Sequence, residues 1–183
     1  MDSNCVTYHI DNNNIIVYLS DNWDQFAKKN KGDKLVGGVL LNKSLYDSIA
    51  DWRCQHLYKL LINRALLLHQ TVKFPYRCDS PEFRRFMTME ITQLENSITE
   101  FRSCVVREEA REPQLLLDPY IPRSSEFLLI CSWCNKVNIS KGSWLEIEDA
   151  VKKAGLFDTE LLPNLTHGVC PACFQKIQNE FAL

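Results

Sequence analysis

No stretch of this sequence approaches the roughly 18 consecutive apolar residues that a membrane-crossing helix needs, which excludes such a helix from the reading. The first fourteen residues are polar and slightly acidic. They have neither a basic start nor an apolar stretch ahead of a small-residue cleavage site, so the expectation is a cytoplasmic chain, not an exported one. Positive charge is not in surplus either: 21 Lys and Arg stand against 23 Asp and Glu, a net charge of −2. A nucleic-acid binder usually carries a basic domain or stripe, and this chain has no such footprint. Enzyme signatures are also missing, since there is no phosphate-cradling glycine loop, no Gly-x-Ser-x-Gly elbow and no His-Glu-x-x-His. Gly37-Gly38 fits none of these patterns, and no residue is assigned a catalytic role.

What is present suits a globular chain: 183 residues, 45% hydrophobic and 24% charged, enough for one main core and a small satellite. Two short β-prone runs, 6–10 and 15–19, flank Asp11-Asn12-Asn13-Asn14, whose residues tolerate the left-handed backbone of a hairpin turn. Ser20 or Asp21 can cap a short helix carrying Trp23, Phe26 and Ala27. The strongest helix is expected after Asp51, an N-cap, and reaches about Gln70, with Leu57, Leu61, Ala65 and Leu68 at helical spacing. Residues 71–78 then alternate, placing Val72, Phe74, Tyr76 and Cys78 on one face, and Pro75 argues for an edge strand. Two more strands are expected at 84–94, with Met87 and Met89 facing the core, and at 98–106. The fold class is therefore α+β, five strands with a long helix lying across one sheet face, followed by a small helical module.

The order β-β, helices, β-β-β over about residues 5–108 resembles a PAS domain, a sensory fold in which five antiparallel strands curl around a pocket closed by helices. Trp23-Asp24-Gln25-Phe26-Ala27 and His56-Leu57-Tyr58 resemble short bacterial PAS-like proteins with a cysteine-rich tail. That resemblance implies a small-molecule pocket between the 51–70 helix and the concave sheet face. Some PAS domains hold haem through a helix histidine, but His56 and His69 are read as ordinary surface or structural groups.

The eight cysteines are unevenly spread. Cys5, Cys54, Cys78 and Cys104 stand alone, and the last three read as small buried apolar residues. The other four form two Cys-x-x-Cys pairs, Cys131/Cys134 and Cys170/Cys173, with 35 residues between them. Two residues between cysteines let both sulfurs reach one ion at about 2.3 Å, and two pairs complete a tetrahedral shell, so the expected cofactor is a structural Zn²⁺. A thioredoxin-type redox pair needs only one such motif, and a disulfide framework suits exported chains. The gap exceeds the roughly 15–20 residues of the simplest four-cysteine pattern and should hold structure of its own. Ser143 and Glu146 suggest a capping box before a helix ending near Gly155, and Pro171 begins a second helix with Phe174, Ile177 and Phe181 on one stripe. Trp133 and Trp144 are expected to form the core of this module.

The pattern Cys131, Cys134, Gly142, Trp144, Thr166-His167-Gly168, Cys170-Pro171 and Cys173 resembles a cysteine-rich tail attached to many bacterial signalling proteins, departing from it in a longer insertion at 156–165. Four thiolates already fill a tetrahedron, so His167 is read as fixing its turn or supporting a ligand. The domains expected are 1–108, a proline-broken linker at 109–126 and a zinc module at 127–183. The functional expectation is a non-enzymatic sensory or adaptor protein, acting through a partner protein or a second copy of itself and a small-molecule ligand. Apolar surface at the 71–78 edge and around Trp23 and Phe26 supports association. The alternatives are a zinc-dependent nucleic-acid or transcriptional regulator and a thiol redox sensor. The first is disfavoured because Lys136, Lys141, Lys152, Lys153 and Lys176 are offset by Glu146, Glu148, Asp149, Asp158 and Glu160.

Overall fold

A computed structural model describes residues 4–140, 142–156 and 161–182, so part of the 156–165 insertion lies outside the described residues. Strands β1 (Cys5–Ile10) and β2 (Ile16–Leu19) form the expected hairpin. The Asp11 carboxylate accepts from the Asn13 and Ile15 amides, both at 2.9 Å, and Asn14 adopts φ 62°. Helix α1 (Trp23–Lys29) starts after Asn22, whose side chain does not cap it but donates to the Cys5 carbonyl at 2.8 Å, tying the helix to β1. Helix α2 (Trp52–Leu68) is capped as expected, with the Asp51 carboxylate accepting from the Arg53 and Cys54 amides at 2.8 and 2.9 Å.

The chain continues through β3 (Val72–Arg77), β4 (Phe83–Gln93) and β5 (Thr99–Ala110). These complete a five-stranded sheet in the order β2-β1-β5-β4-β3, antiparallel throughout, with β3 at an edge as Pro75 predicts. The space between α2 and the sheet, where the resemblance places a pocket, is filled by Leu57, Leu61, Ile91 and Phe101, none more than 1% exposed. Tyr8 stacks on Phe101 with ring centroids 4.6 Å apart. Among the described residues no helix is long and apolar enough to cross a membrane.

The C-terminal part is not the helical module expected. Strands β6 (Arg123–Cys131), β7 (Val137–Ser140), β8 (Ser143–Leu145) and β9 (Leu162–Gly168) form a second sheet in the order β8-β7-β6-β9, with β9 parallel to β6. Residues 123–126, expected as linker, are already strand, and β5 runs past residue 108 to Ala110. Ser143 lies in β8 and makes no capping box: α3 (Ile147–Lys153) starts after Glu146, whose carboxylate instead accepts from Arg77 at 2.6 Å. The second helix, α4 (Pro171–Phe181), begins as read, with Cys170 as its N-cap.

Two cores result. One combines α2 and the first sheet with Cys131, Trp133, Val169, Cys170, Ile177 and Phe181, so Trp133 packs against Tyr58 and Phe74 and not within a separate module. The other gathers Leu116, Ile130, Val137, Ile147, Ala150, Val151 and Leu156. The expectation that the two halves bury different cores fails because successive residues of a strand face opposite ways. On β6, Ile130 points into the second core and Cys131 into the first.

The solitary cysteines also need correction. Cys54 is buried as expected, but Cys78 is exposed. Cys104 is not a buried apolar group: it lies opposite Cys5 in the β1–β5 register and is joined to it by a disulfide.

Candidate metal centre

The four paired cysteines meet. Their sulfur atoms all lie within 4.8 Å of one another, although 35 residues separate the pairs in sequence. A tetrahedron of sulfurs about 2.3 Å from a central ion has edges of about 3.8 Å. The Cys134 and Cys170 sulfurs are 3.8 Å apart, one such edge.

Each pair is placed by backbone geometry. Cys131 ends β6, and the chain reverses to β7 through Ser132-Trp133-Cys134-Asn135, with Asn135 in the left-handed region at φ 55°. The Cys131 amide donates to the Lys136 carbonyl at 2.8 Å and the Asn135 amide to the Cys131 carbonyl at 2.9 Å, closing the turn so that both sulfurs project from one side. The second pair sits where β9 gives way to α4. The Cys173 amide donates to the Cys170 sulfur at 3.4 Å and the Cys170 amide to the Cys131 sulfur at 3.3 Å. Helix N-terminal amides aimed at sulfur favour the thiolate that metal binding requires.

The electrostatics point the same way. Contact with the other three sulfurs pushes the Cys131 thiol far below the ordinary value. Cys131 pushes Cys170 up, but contacts with Cys134 and Cys173 outweigh it and bring Cys170 down to about 7, and the Cys134 and Cys173 thiols are pushed up, chiefly by Cys131. Bare thiols at this spacing thus favour two thiolates and resist the others. Four thiolates within these distances repel one another unless a cation lies among them, and the soft donor set fits a thiophilic divalent ion.

The site is anchored to the first sheet. The Arg77 amide at the end of β3 donates to the Trp133 carbonyl at 2.9 Å, extending the sheet edge into the cysteine turn. With its amide oriented to satisfy both atoms, Asn135 donates to the Arg77 carbonyl at 3.1 Å and accepts from the Asp79 amide at 2.9 Å. The Ser132 amide donates to the Gly168 carbonyl at 2.8 Å, joining the two pairs. A Cβ at Gly168 would come within 2.9 Å of Leu129 Cδ1 and 3.1 Å of Asp51 Oδ2, so a larger residue there would have to displace the Leu129 side chain and crowd the cap of α2.

Beside the centre lies an ion network that no local sequence signal foretells. Asp79 is fully buried and pairs with Arg77 and, at 3.1 Å, with Arg111. Arg77 and Arg111 reach on to Glu146 and Glu148 at 2.6 and 3.2 Å, bridging the first sheet to α3. Its members come from three separate stretches, 77–79, Arg111 and 146–148, and only the fold unites them.

His167 lies on β9 opposite Ile130, is exposed, and is not part of the sulfur cluster. His56 packs near Phe174, 6.2 Å between ring centroids, and His69 ends α2 with φ 49°. No protein-family model matches the chain, and no curated protein matches it.

Proposed function

We propose that this chain is a non-enzymatic sensory or adaptor protein in which a PAS-like body is built together with a structural zinc centre held by Cys131, Cys134, Cys170 and Cys173. Five antiparallel strands with helices between the second and third support the PAS-like reading. One observation carries the functional reading: the cysteine cluster shares a core with α2 and the sheet. A ligand or partner that moves the sheet edge would shift the sulfur turn through the Arg77–Trp133 hydrogen bond, and metal binding would in turn fix the sheet edge. When bound, the metal would supply charge neutralisation and cross-linking, with no open position for substrate once four thiolates are engaged. A protein partner or a second copy of the chain would read the resulting surface; four thiolates held for a metal suit a reducing, cytoplasmic setting, whereas the Cys5–Cys104 disulfide argues against it.

Metal analysis of protein purified without added metal tests this, with one zinc per chain expected and no visible absorbance. An iron spectrum would change the metal. Absence of any stoichiometric metal, together with a Cys131–Cys134 disulfide, would remove the structural reading. Sedimentation over a concentration series, alone and with co-purifying protein, tests association: a strictly monomeric, partnerless chain counts against the adaptor role. The Cys5–Cys104 bond favours a second reading, thiol redox sensing, through a different pair from the one the motifs suggest. Mass spectrometry of alkylated protein from cells measures whether that pair cycles.

A further inference from the structure

A cavity of about 320 Å³ opens between α1 and strands β4 and β5, with no α2 residue in its lining. Helix α1 turns Phe26 and Lys29, three residues apart, toward it, and the strands contribute Arg85, Val105 and Glu108. Strand alternation alone would set Val105 and Glu108 on opposite faces. The β4–β5 register shifts between Phe86 and Met87, however, leaving Val106 as an extra residue on β5. This bulge reverses the alternation and brings Glu108 to the face of Arg85, its register partner. The walls are tied together, because the Asn22 side-chain amide donates to the Cys5 carbonyl at 2.8 Å and the Val105 amide to the Asn4 carbonyl at 2.9 Å.

Arg85 points to a ligand. Its side chain is only 4% exposed, yet it borders the cavity, so the little surface it keeps is turned there. Nε donates to the Glu108 carboxylate at 2.7 Å and Nη1 to the Cys78 carbonyl at 3.0 Å. Nη2 has no oxygen acceptor among the described residues, and it is not one of the polar atoms sealed off from solvent. A desolvated guanidinium with unengaged N–H bonds gains most from a charged acceptor. Lys29 adds an exposed ammonium, and Glu108, the one carboxylate in the lining, already faces Arg85. Two cations against one carboxylate leave the lining with a single positive charge.

We propose that this cavity binds a small organic monocarboxylate, whose carboxylate takes Nη2 of Arg85 with Lys29 beside it and whose body lies against Phe26 and Val105. One excess positive charge suits a monoanion, whereas a dianion would set its second charge beside Glu108. An apolar cavity of about 150 Å³ holds benzene, so this one has room for about ten non-hydrogen atoms. Charged groups fix the orientation and the apolar wall adds affinity, the usual division of labour in small-molecule sites. Such a site lies outside the pocket that the sensory reading places under α2, and binding there needs neither the metal nor a partner.

The test uses the full chain, ¹⁵N-labelled, with its metal as purified, and titrates benzoate, benzamide and inorganic phosphate. Benzoate and benzamide share size and shape and differ in charge. Expected are saturable shifts of the α1 and Val105 amides and of the Arg85 Nε–H at millimolar benzoate. Benzamide should bind at least roughly tenfold more weakly, the ratio one charge-assisted hydrogen bond supplies, and phosphate should not saturate in that range. Arg85→Gln should reduce benzoate to the affinity of benzamide. Lys29→Gln, a substitution of an exposed residue, should keep the fold and weaken benzoate about threefold. Should Arg85→Gln fail to fold, Lys29→Gln and the probe ratio decide. The proposal is overturned if benzoate gives no saturable shift of these signals, if benzamide matches it, or if phosphate saturates as readily. Benzoate affinity unchanged in Lys29→Gln overturns it as well.

Discussion

The two cores are built differently. The second, formed by β6, β7 and α3, is a small aliphatic cluster in which Ile130, Val137, Ile147 and Val151 pack without any metal-ligating side chain. The first combines a sheet, a long helix and the cysteine cluster, and its aromatic contacts run continuously from Tyr8 through Phe101 and Tyr58 to Trp133. Since β6 serves as a wall for both, the sulfur cluster sits at a seam, not at the centre of a self-contained finger. A seam lets a metal control how two layers meet, whereas a finger's metal controls only its own fold.

The largest effect is expected from Cys170→Ser. Structural zinc contributes on the order of 10 kcal/mol or more in isolated fingers, and losing one ligand from a closed site forfeits much of that. The expected outcome is loss of stoichiometric zinc and faster amide exchange in α4, in the 131–136 turn and in the half of α2 that packs on α4, with β6–β7 amides beside the second core retaining more protection. Exchange confined to 127–182 would return the centre to the status of a separate module. Uniform exchange throughout would merge the two cores into one cooperative unit.

The sequence made some of this legible and hid the rest for identifiable reasons. Periodicity located α2, and a capping carboxylate located its start, because both are local properties of consecutive residues. Pro75 marked β3 as an edge for the same reason. The cysteine pairs were readable because two-residue spacing is itself the chelating geometry, and the fold brings all four together. Local signals did not show that residues 123–131 form a strand shared by two cores, since β6 pairs with β9 in parallel across about forty residues. Cys5 and Cys104 carried no pairing signal either. Only the β1–β5 register sets them opposite each other. Ser143 and Glu146 matched a capping box, but β7 recruited Ser143 into the sheet and Arg77 drew off Glu146.

A second prediction addresses the polar part of the seam. Asp79 has no exposed side-chain surface and compensates Arg77 and Arg111, of which the latter is only 7% exposed. Asp79→Asn removes the one carboxylate that the two largely buried guanidinium groups share and leaves Glu146 and Glu148 as their charged partners, and removing one partner from such a network costs up to about 3–5 kcal/mol. Urea unfolding at neutral pH should show a loss of that size. Arg111→Met with Asp79→Leu removes charge on both sides and should cost less than Asp79→Asn alone. A double variant as damaged as the single one would mean that packing, not charge compensation, governs the junction.

The smallest effect is expected away from the seam, at Glu90 on β4. The Lys73 ammonium donates to it at 2.8 Å and holds its carboxyl below the ordinary value, with a further contribution from Arg102, while partial burial pushes the other way. A carboxyl depressed in the folded state contributes stability that is present above its unfolded value, about 4.3, and that is lost as pH falls through the folded value. Lys73 is largely exposed, so solvent screening limits the pair to about 1 kcal/mol or less. The measurement is the stability difference between wild type and Lys73→Met across pH 3 to 7. That difference should be constant above about pH 5, shrink as Glu90 takes up its proton, and diminish in high salt. Such a pair cannot hold two layers together, so Lys73→Met should leave metal content and α4 protection unchanged. If this surface substitution also released the metal, β3 would be transmitting strain along its whole length from Lys73 to the Arg77–Trp133 hydrogen bond, and the boundary between surface and seam drawn above would have to move outward.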